Sequence, residues 1–379
     1  IDHAAAQGVV IVNLSMGSND RGDWQAFEDA ARAHPDMLFV VSAGNNGRDI
    51  DAMPVYPAAL ELPNILSVTS SENDGTLAFG SNRGARSVDL LVPAERMRVT
   101  DFNGAAVSAS GSSYAAVRIA ALAARLLADH PEWRAAALKR AILERALPFP
   151  AQATSQVAHG FLPRPDRAED LPPLTGRGGP ASVTRRVITA GELYAGGDSA
   201  PDGHRIFRPV LAYFRDSGWS LDDIREHART AAGILAGCNI RMPGVAVHEL
   251  DGPPAYRYFH DAIARELVRR LALPKPAVYF VRDTLQVEAY DAEAIGRGNS
   301  AARPELRDTV WITEPTREPG IALAHELAHL LMDRGDHVDT PGNLMRAETA
   351  PSNTTLTQRQ CRQIRDRGTE NGLLVQPGD

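Results

Sequence analysis

The chain has 379 residues, 44% hydrophobic and 23% charged, which suits two domains with sizeable cores. Its net charge of −7, with no basic patch or nucleic-acid-reading motif, argues against a nucleic-acid partner. No apolar run approaches the roughly 20 residues of a membrane span.

VVIVNL (9–14) and MLFVVS (37–42) are short, nearly continuous apolar runs, as expected for strands buried on both faces of a parallel sheet. DWQAFEDAARAH between them has helical period and an acidic start, which gives βαβ alternation and a doubly wound sheet. An apolar helix follows residue 112 and runs to HPEW (130–133). From Pro148 to about Thr184, proline and glycine density predicts a linker without regular elements, partly packed on the first domain through Phe161 and Leu162. A second domain over 185–379 opens with two strand candidates, RRVITAGEL (185–193) and HRIFRPVLAYF (204–214). SLDDIREHARTAAGILAGC (220–238) predicts a helix capped by Ser220, with Asp223 in its first turn. PGVAVHEL (243–250), PAVYFVRD (276–283) and DTVWITE (308–314) predict strands; YFHDAIARELVRRLAL (258–273) and LTQRQCRQIRDR (356–367) predict helices. The two cysteines, Cys238 and Cys361, are too few for a cysteine metal site. Buried free thiols are expected, a single bridge being the alternative. His248 and His260 lack ligand spacing and are assigned surface or satisfied core roles.

The most informative motif is HELAH inside IALAHELAHLLMD (321–333). Residues four apart share a helix face, so His325 and His329 can grip one metal ion, with Glu326 beside them as a base toward metal-bound water. The bland alternative is an amphipathic core helix with two tolerated histidines. Gly335 and its polar neighbours end the helix, and His337 follows as third ligand, leaving one position for water. Asp333 and Asp336 remain rivals, because carboxylates also bind zinc. Asn343-Leu344-Met345 comes next, and Met345 after the third ligand resembles the methionine turn of metzincin zinc peptidases. The resemblance extends over about 205–370 and implies Zn2+ as cofactor. It departs from that family's pattern, which places glycine at Met332 and the third ligand at Gly335, so a His337 ligand requires a loop two residues longer.

Residues 1–147 resemble the C-terminal part of a subtilisin-like serine protease domain. The blocks that carry this are IDHAAAQGVVIVNLSMGS (1–18), MLFVVSAGNNG (37–47), NILSVTSSENDGTLAFGSNRGARSVDLLVP (64–93) and SASGSSYAAVRIAALAARLLADHPEW (108–133). The resemblance makes Ser113 the nucleophile and Asn45 the oxyanion donor. Ser15, Met16 and Gly17 on one side, with Ala43 and Gly44 on the other, become backbone walls for an extended substrate. Taken singly, the asparagine reads as a turn residue and the serines as a helix cap. The family's aspartate and histidine precede the serine in chain order. Asp2, His3, His34 and His130 match neither motif, so about a hundred residues of such a domain are expected outside this chain. Ala116, Val117 and Arg118 replace the residues usual after the serine.

Together these imply an α/β doubly wound sheet, N-terminally incomplete, followed by an α+β metzincin-like domain. The expected function is peptide hydrolysis by the zinc domain, fused to a serine endopeptidase fragment. The alternatives are a serine endopeptidase with a regulatory metal domain and a non-catalytic peptide binder. The expected partners are a peptide or protein substrate and an N-terminal subtilase segment supplying aspartate and histidine. The residues leave the compartment open, with secretion the expectation that the subtilase resemblance brings.

Overall fold

A computed structural model describes residues 1–147, 156–174, 176, 178–194, 202–285, 294–297 and 304–377. The chain divides into two units, Ile1–Gly176 and, apart from Leu285–Val287, the stretch from Arg177 onward.

The first unit contains α1 (Asp2–Ala6), β1 (Ile11–Leu14), α2 (Gln25–Ala33), β2 (Leu38–Ser42), β3 (Ile65–Ser71) and β4 (Leu90–Pro93). There follow the hairpin β5 (Met97–Thr100) and β6 (Ala106–Ala109), helices α3 (Ser112–Asp129) and α4 (Ala135–Leu143), and β7 (Gly160–Phe161). The main sheet is parallel throughout, in the order β1-β2-β3-β4-β7. Both faces are covered, which is why β2, β3 and β4 are wholly buried. Leu38, Val40, Leu66, Val68, Leu90 and Val92 pack with the α3 and α4 side chains. Phe39 points the other way and meets Phe27 of α2 edge to face at 5.2 Å.

The supposed linker is structured within 156–174. Phe161 pairs with Leu91 in the sheet, Leu162 and Ala168 enter the core, and Pro165–Asp170 forms a 3-10 turn. A two-residue strand and a proline-led turn lack the length that gives periodicity, so composition conceals them. Residues 148–155 lie outside the described part.

The second unit contains β8 (Ala181–Thr189), α5 (Ala190–Leu193), β9 (Arg205–Phe207), β10 (Val210–Phe214), α6 (Leu221–Ala236), β11 (Ile240–Arg241) and β12 (Gly244–Asp251). Then come β13 (Tyr258–Phe259), α7 (Asp261–Leu271), β14 (Ala277–Val281), β15 (Asp283–Thr284), β16 (Ala294–Arg297) and β17 (Thr309–Thr313). Helices α8 (Pro319–Met332) and α9 (Gln358–Glu370) and the short β18 (Leu374–Val375) complete it. The main sheet runs β16-β17-β14-β10-β12-β8. Its four interior strands are parallel and only the edge strands β8 and β16 are antiparallel.

The expected α+β arrangement is therefore replaced by α/β. Parallel neighbours need crossover helices, and α6 and α7 supply them. The α6 crossover runs from β10 to β12 and the α7 crossover runs back the other way, from β12 to β14, so right-handedness puts the two helices on opposite faces. The face carrying Leu211, Val247, Phe280 and Ile312 is covered by α6 and α8 side chains.

Three local expectations change. The run 185–193 is not one strand, because Thr189 and Glu192 form a capping box that starts α5. Likewise 204–214 divides at Arg208-Pro209 into β9 and β10. Cys238 and Cys361 form a disulfide joining the end of α6 to α9, with Cα atoms 4.9 Å apart. Free thiols were the expectation, and adjacency of two helices 123 residues apart cannot be read from spacing.

Candidate metal centre and serine cleft

The second unit places HELAH on α8, with His325 buried against the core, His329 half-buried and His337 exposed on the following loop. The ligand atoms of the three lie within 4.8 Å of one another. His325 Nδ1 donates to the Leu344 carbonyl at 2.7 Å, and His329 Nδ1 donates to the Arg334 carbonyl at 2.6 Å. Each Nδ1 thus carries the ring proton, which leaves both Nε2 atoms as bare lone pairs. Those atoms are 2.9 Å apart, and His329 Nε2 is 3.1 Å from His337 Nε2. Two facing lone pairs repel, so the contact between His325 and His329 is not a hydrogen bond between neutral rings. A shared cation reconciles it, since ligands in a tetrahedral zinc shell sit roughly 3.3 Å apart. The donor set therefore fits zinc.

Electrostatics agree with the geometry. Burial lowers the pKa of His325 against the opposing effect of the Leu344 hydrogen bond. Burial, reinforced by His325, lowers His329 to about 4. Both rings are held neutral, the form that ligates metal.

The chain reaches His337 by a defined route. Asp333 takes a left-handed conformation (φ 52°) and ends α8. Its rivalry for the metal is not reflected in the cluster, and Asp336 pairs with Arg334 at 2.6 Å. Met345 is buried in the main core, and its N–H donates to Asn343 Oδ1. Glu326 is half-buried on α8 next to His325. His248 contacts Ser182 Oγ through Nδ1, and buried His260 accepts from Ala262 N, capping α7.

In the first unit, Ser113 stands in the first turn of α3 and Asn45 in the loop after β2. Ser15, Met16, Gly17, Gly44, Asn45 and Ser113 line one cavity of about 390 Å³. Asn45 Oδ1 accepts from Ser112 N at 2.9 Å, and Ser15 Oγ donates to the Ser113 carbonyl at 3.0 Å. Ala43 departs from its expected role as substrate wall. It is buried, its N–H donates to Val68 and its carbonyl accepts from Asn82 Nδ2, so its polar groups are already used.

Asn82 is a residue the sequence reading missed. Its Oδ1 accepts from Asn46 N and Arg48 N, which shapes the loop bearing Asn45. No spacing signal marks it. Gly44 has φ 97°, and a Cβ there would lie 2.6 Å from Asn82 Nδ2. Arg118 also has a function in the fold. Buried itself, it donates to the Pro93 carbonyl and pairs with the exposed Asp166.

Ser113 has no imidazole beside it among the described residues. His34 pairs with Asp2 at 2.8 Å, His130 stacks on Trp133, and His159 lies 3.7 Å from Asp89.

This parallel α/β sheet, with a serine opening a buried helix beside an asparagine loop, resembles the arrangement expected of a subtilase. Residues 1–175 match the family model described as "Subtilase family", which makes the first unit subtilase-like. The match ends before the histidine cluster. The chain is 32% identical over 136 residues to "Subtilisin-like protease 1" of Trichophyton verrucosum, covering 34% of this chain and 31% of that protein. It is 30% identical over 87 residues to "Subtilisin-like protease 2" of Plasmodium falciparum, covering 23% of this chain and 6% of that one. The chain thus spans less than a third of the length of these curated relatives. Among solved structures, it is similar to the self-cleaved protease domain of PatA (25% identity, TM-score 0.37, 44% of this chain and 63% of that one). It is also similar to the prenylagaramide maturation protease PagA (25% identity, TM-score 0.39, 46% and 66%).

Proposed function

We propose that the chain is a peptidase and that its own complete hydrolytic centre is the histidine cluster of the second unit. The observation that carries this is the convergence of three imidazole nitrogens whose partner atoms, in His325 and His329, are already bound to carbonyls. His325, His329 and His337 would hold zinc, which supplies Lewis acidity toward a peptide carbonyl when bound. Glu326 would accept a proton from the attacking water and return it to the leaving amine. The backbone carbonyls of Leu344 and Arg334 fix both ring tautomers, and burial keeps those rings unprotonated. The methionine after the third ligand supports the metzincin-like reading.

The comparisons favour a second reading, a subtilisin-type serine endopeptidase whose other unit is a regulatory metal-binding module. The match over residues 1–175 supports it. It needs a histidine and an aspartate delivered to Ser113 from outside the described residues.

Elemental analysis of the purified chain and of His337→Ala, with peptidase assays on wild type and Glu326→Gln, separates the readings. One zinc per chain, lost in His337→Ala, with turnover lost in Glu326→Gln, is expected. No zinc after incubation with the metal removes the first reading. Bound zinc with turnover indifferent to Glu326→Gln favours the second.

A further inference from the structure

Four amides stand in line behind the metal centre. The Leu344–Met345 peptide is gripped at both ends: its carbonyl accepts from His325 Nδ1, and its N–H donates to Asn343 Oδ1 at 2.9 Å. In a trans peptide these two groups point in opposite directions, so fixing the N–H fixes the carbonyl. Asn343 is buried, and its own amide could face either way. Gln360 of α9 sets its direction through a reciprocal pair. Gln360 Nε2 donates to Asn343 Oδ1 at 3.0 Å, and Asn343 Nδ2 donates to Gln360 Oε1 at 2.9 Å. The direction of Gln360 is fixed in turn by the capping box, because Oε1 accepts from Thr357 N at 2.8 Å. The helix that carries Gln360 is anchored by the Cys361–Cys238 disulfide and by Arg365 donating to the Cys238 carbonyl.

Building on the zinc reading, we propose that Gln360 is a positioning residue for the metal centre. It touches neither metal nor substrate. It orients Asn343, which orients the Leu344 carbonyl, which holds the proton on His325 Nδ1 and leaves Nε2 free to ligate. The start of α9 and the metal site are thereby one hydrogen-bonded unit. Reversal at any amide would set donor against donor or acceptor against acceptor along the line.

The discriminating variant is Gln360→Glu. A carboxylate still accepts from Thr357 N, so the helix cap persists, but it cannot donate to Asn343 Oδ1. Thr357→Ala is the control, since it weakens the cap and leaves the Gln360–Asn343 pair intact. Zinc affinity is measured on the oxidised full chain by competition with a chromophoric chelator, together with thermal midpoints. Gln360→Glu is expected to bind zinc about tenfold more weakly, the range seen for outer partners of metal ligands. Thr357→Ala is expected to melt earlier with zinc affinity within about twofold of wild type. Equal affinity in wild type and Gln360→Glu overturns the proposal and leaves the zinc reading standing. Equal weakening in both variants also overturns it, because affinity then merely follows stability. A wild-type chain that takes up no zinc overturns the zinc reading and this proposal with it.

Discussion

The Arg334 carbonyl accepts the Nδ1 proton of His329 at 2.6 Å, five residues back along the chain. That return is possible because Asp333 adopts φ 52° and closes α8. A residue with left-handed backbone at the end of α8 therefore sets both the tautomer of His329 and the path of the chain to His337. Asp333→Gly, which adopts this conformation without strain, is expected to retain zinc affinity. Asp333→Val is expected to lose about 1–2 kcal/mol of stability and to bind zinc more weakly. Chelator titration and thermal melting of both variants check this.

Removing the disulfide tests a different link. It closes a loop across 123 positions between α6 and α9. The double substitution Cys238→Ser and Cys361→Ser is expected to cost on the order of 2–5 kcal/mol. Denaturant unfolding of both forms measures it, and an unchanged midpoint would remove the bridge from the account.

Acid sensitivity has an identifiable source. Arg257, buried against the ring of Phe214, donates to Asp216 Oδ1 at 2.6 Å and holds that carboxyl below its ordinary value of 3.8. The folded pKa lies below the unfolded one. The contribution is therefore complete above the unfolded value and is lost as pH falls through the folded one. Asp216→Asn should melt earlier than wild type at pH 7, and the gap should narrow toward pH 3. A gap that stays constant with pH would refute the assignment.

Ser113 should be unreactive in this chain alone. With no imidazole beside it among the described residues, an organophosphorus serine reagent is expected to leave it unlabelled, as peptide mass spectrometry would read out. Labelling at Ser113 would mean a base reaches it by another route. Asn45→Ala should still destabilise the unit, by about 1–3 kcal/mol, because it orphans the Ser112 N–H.

Legibility in the sequence followed the range of the interaction. Histidines four apart on an apolar helix face announce themselves, and Ser220 with Asp223 announces the start of α6. The Thr189…Glu192 spacing was an equally readable cap, obscured by the β-branched run before it. Which of His337, Asp333 and Asp336 comes to lie beside His325 and His329 was not readable, because it depends on one left-handed residue and a carbonyl. The Gln360–Asn343 pair joins positions 17 apart through a loop of no period. The cysteine pair and Asn82 were hidden for the same reason: contacts between distant segments leave no local pattern.

Arg118 carries a practical lesson for anyone dissecting the first unit. Its guanidinium is buried, and its carboxylate partner, Asp166, lies well past the end of α4. A fragment cut after residue 147, where the recognisable helices stop, would leave that buried cation without its carboxylate partner and strip Leu162 and Ala168 from the core. The smallest soluble version should therefore extend to about residue 176, and shorter ones should partition into inclusion bodies.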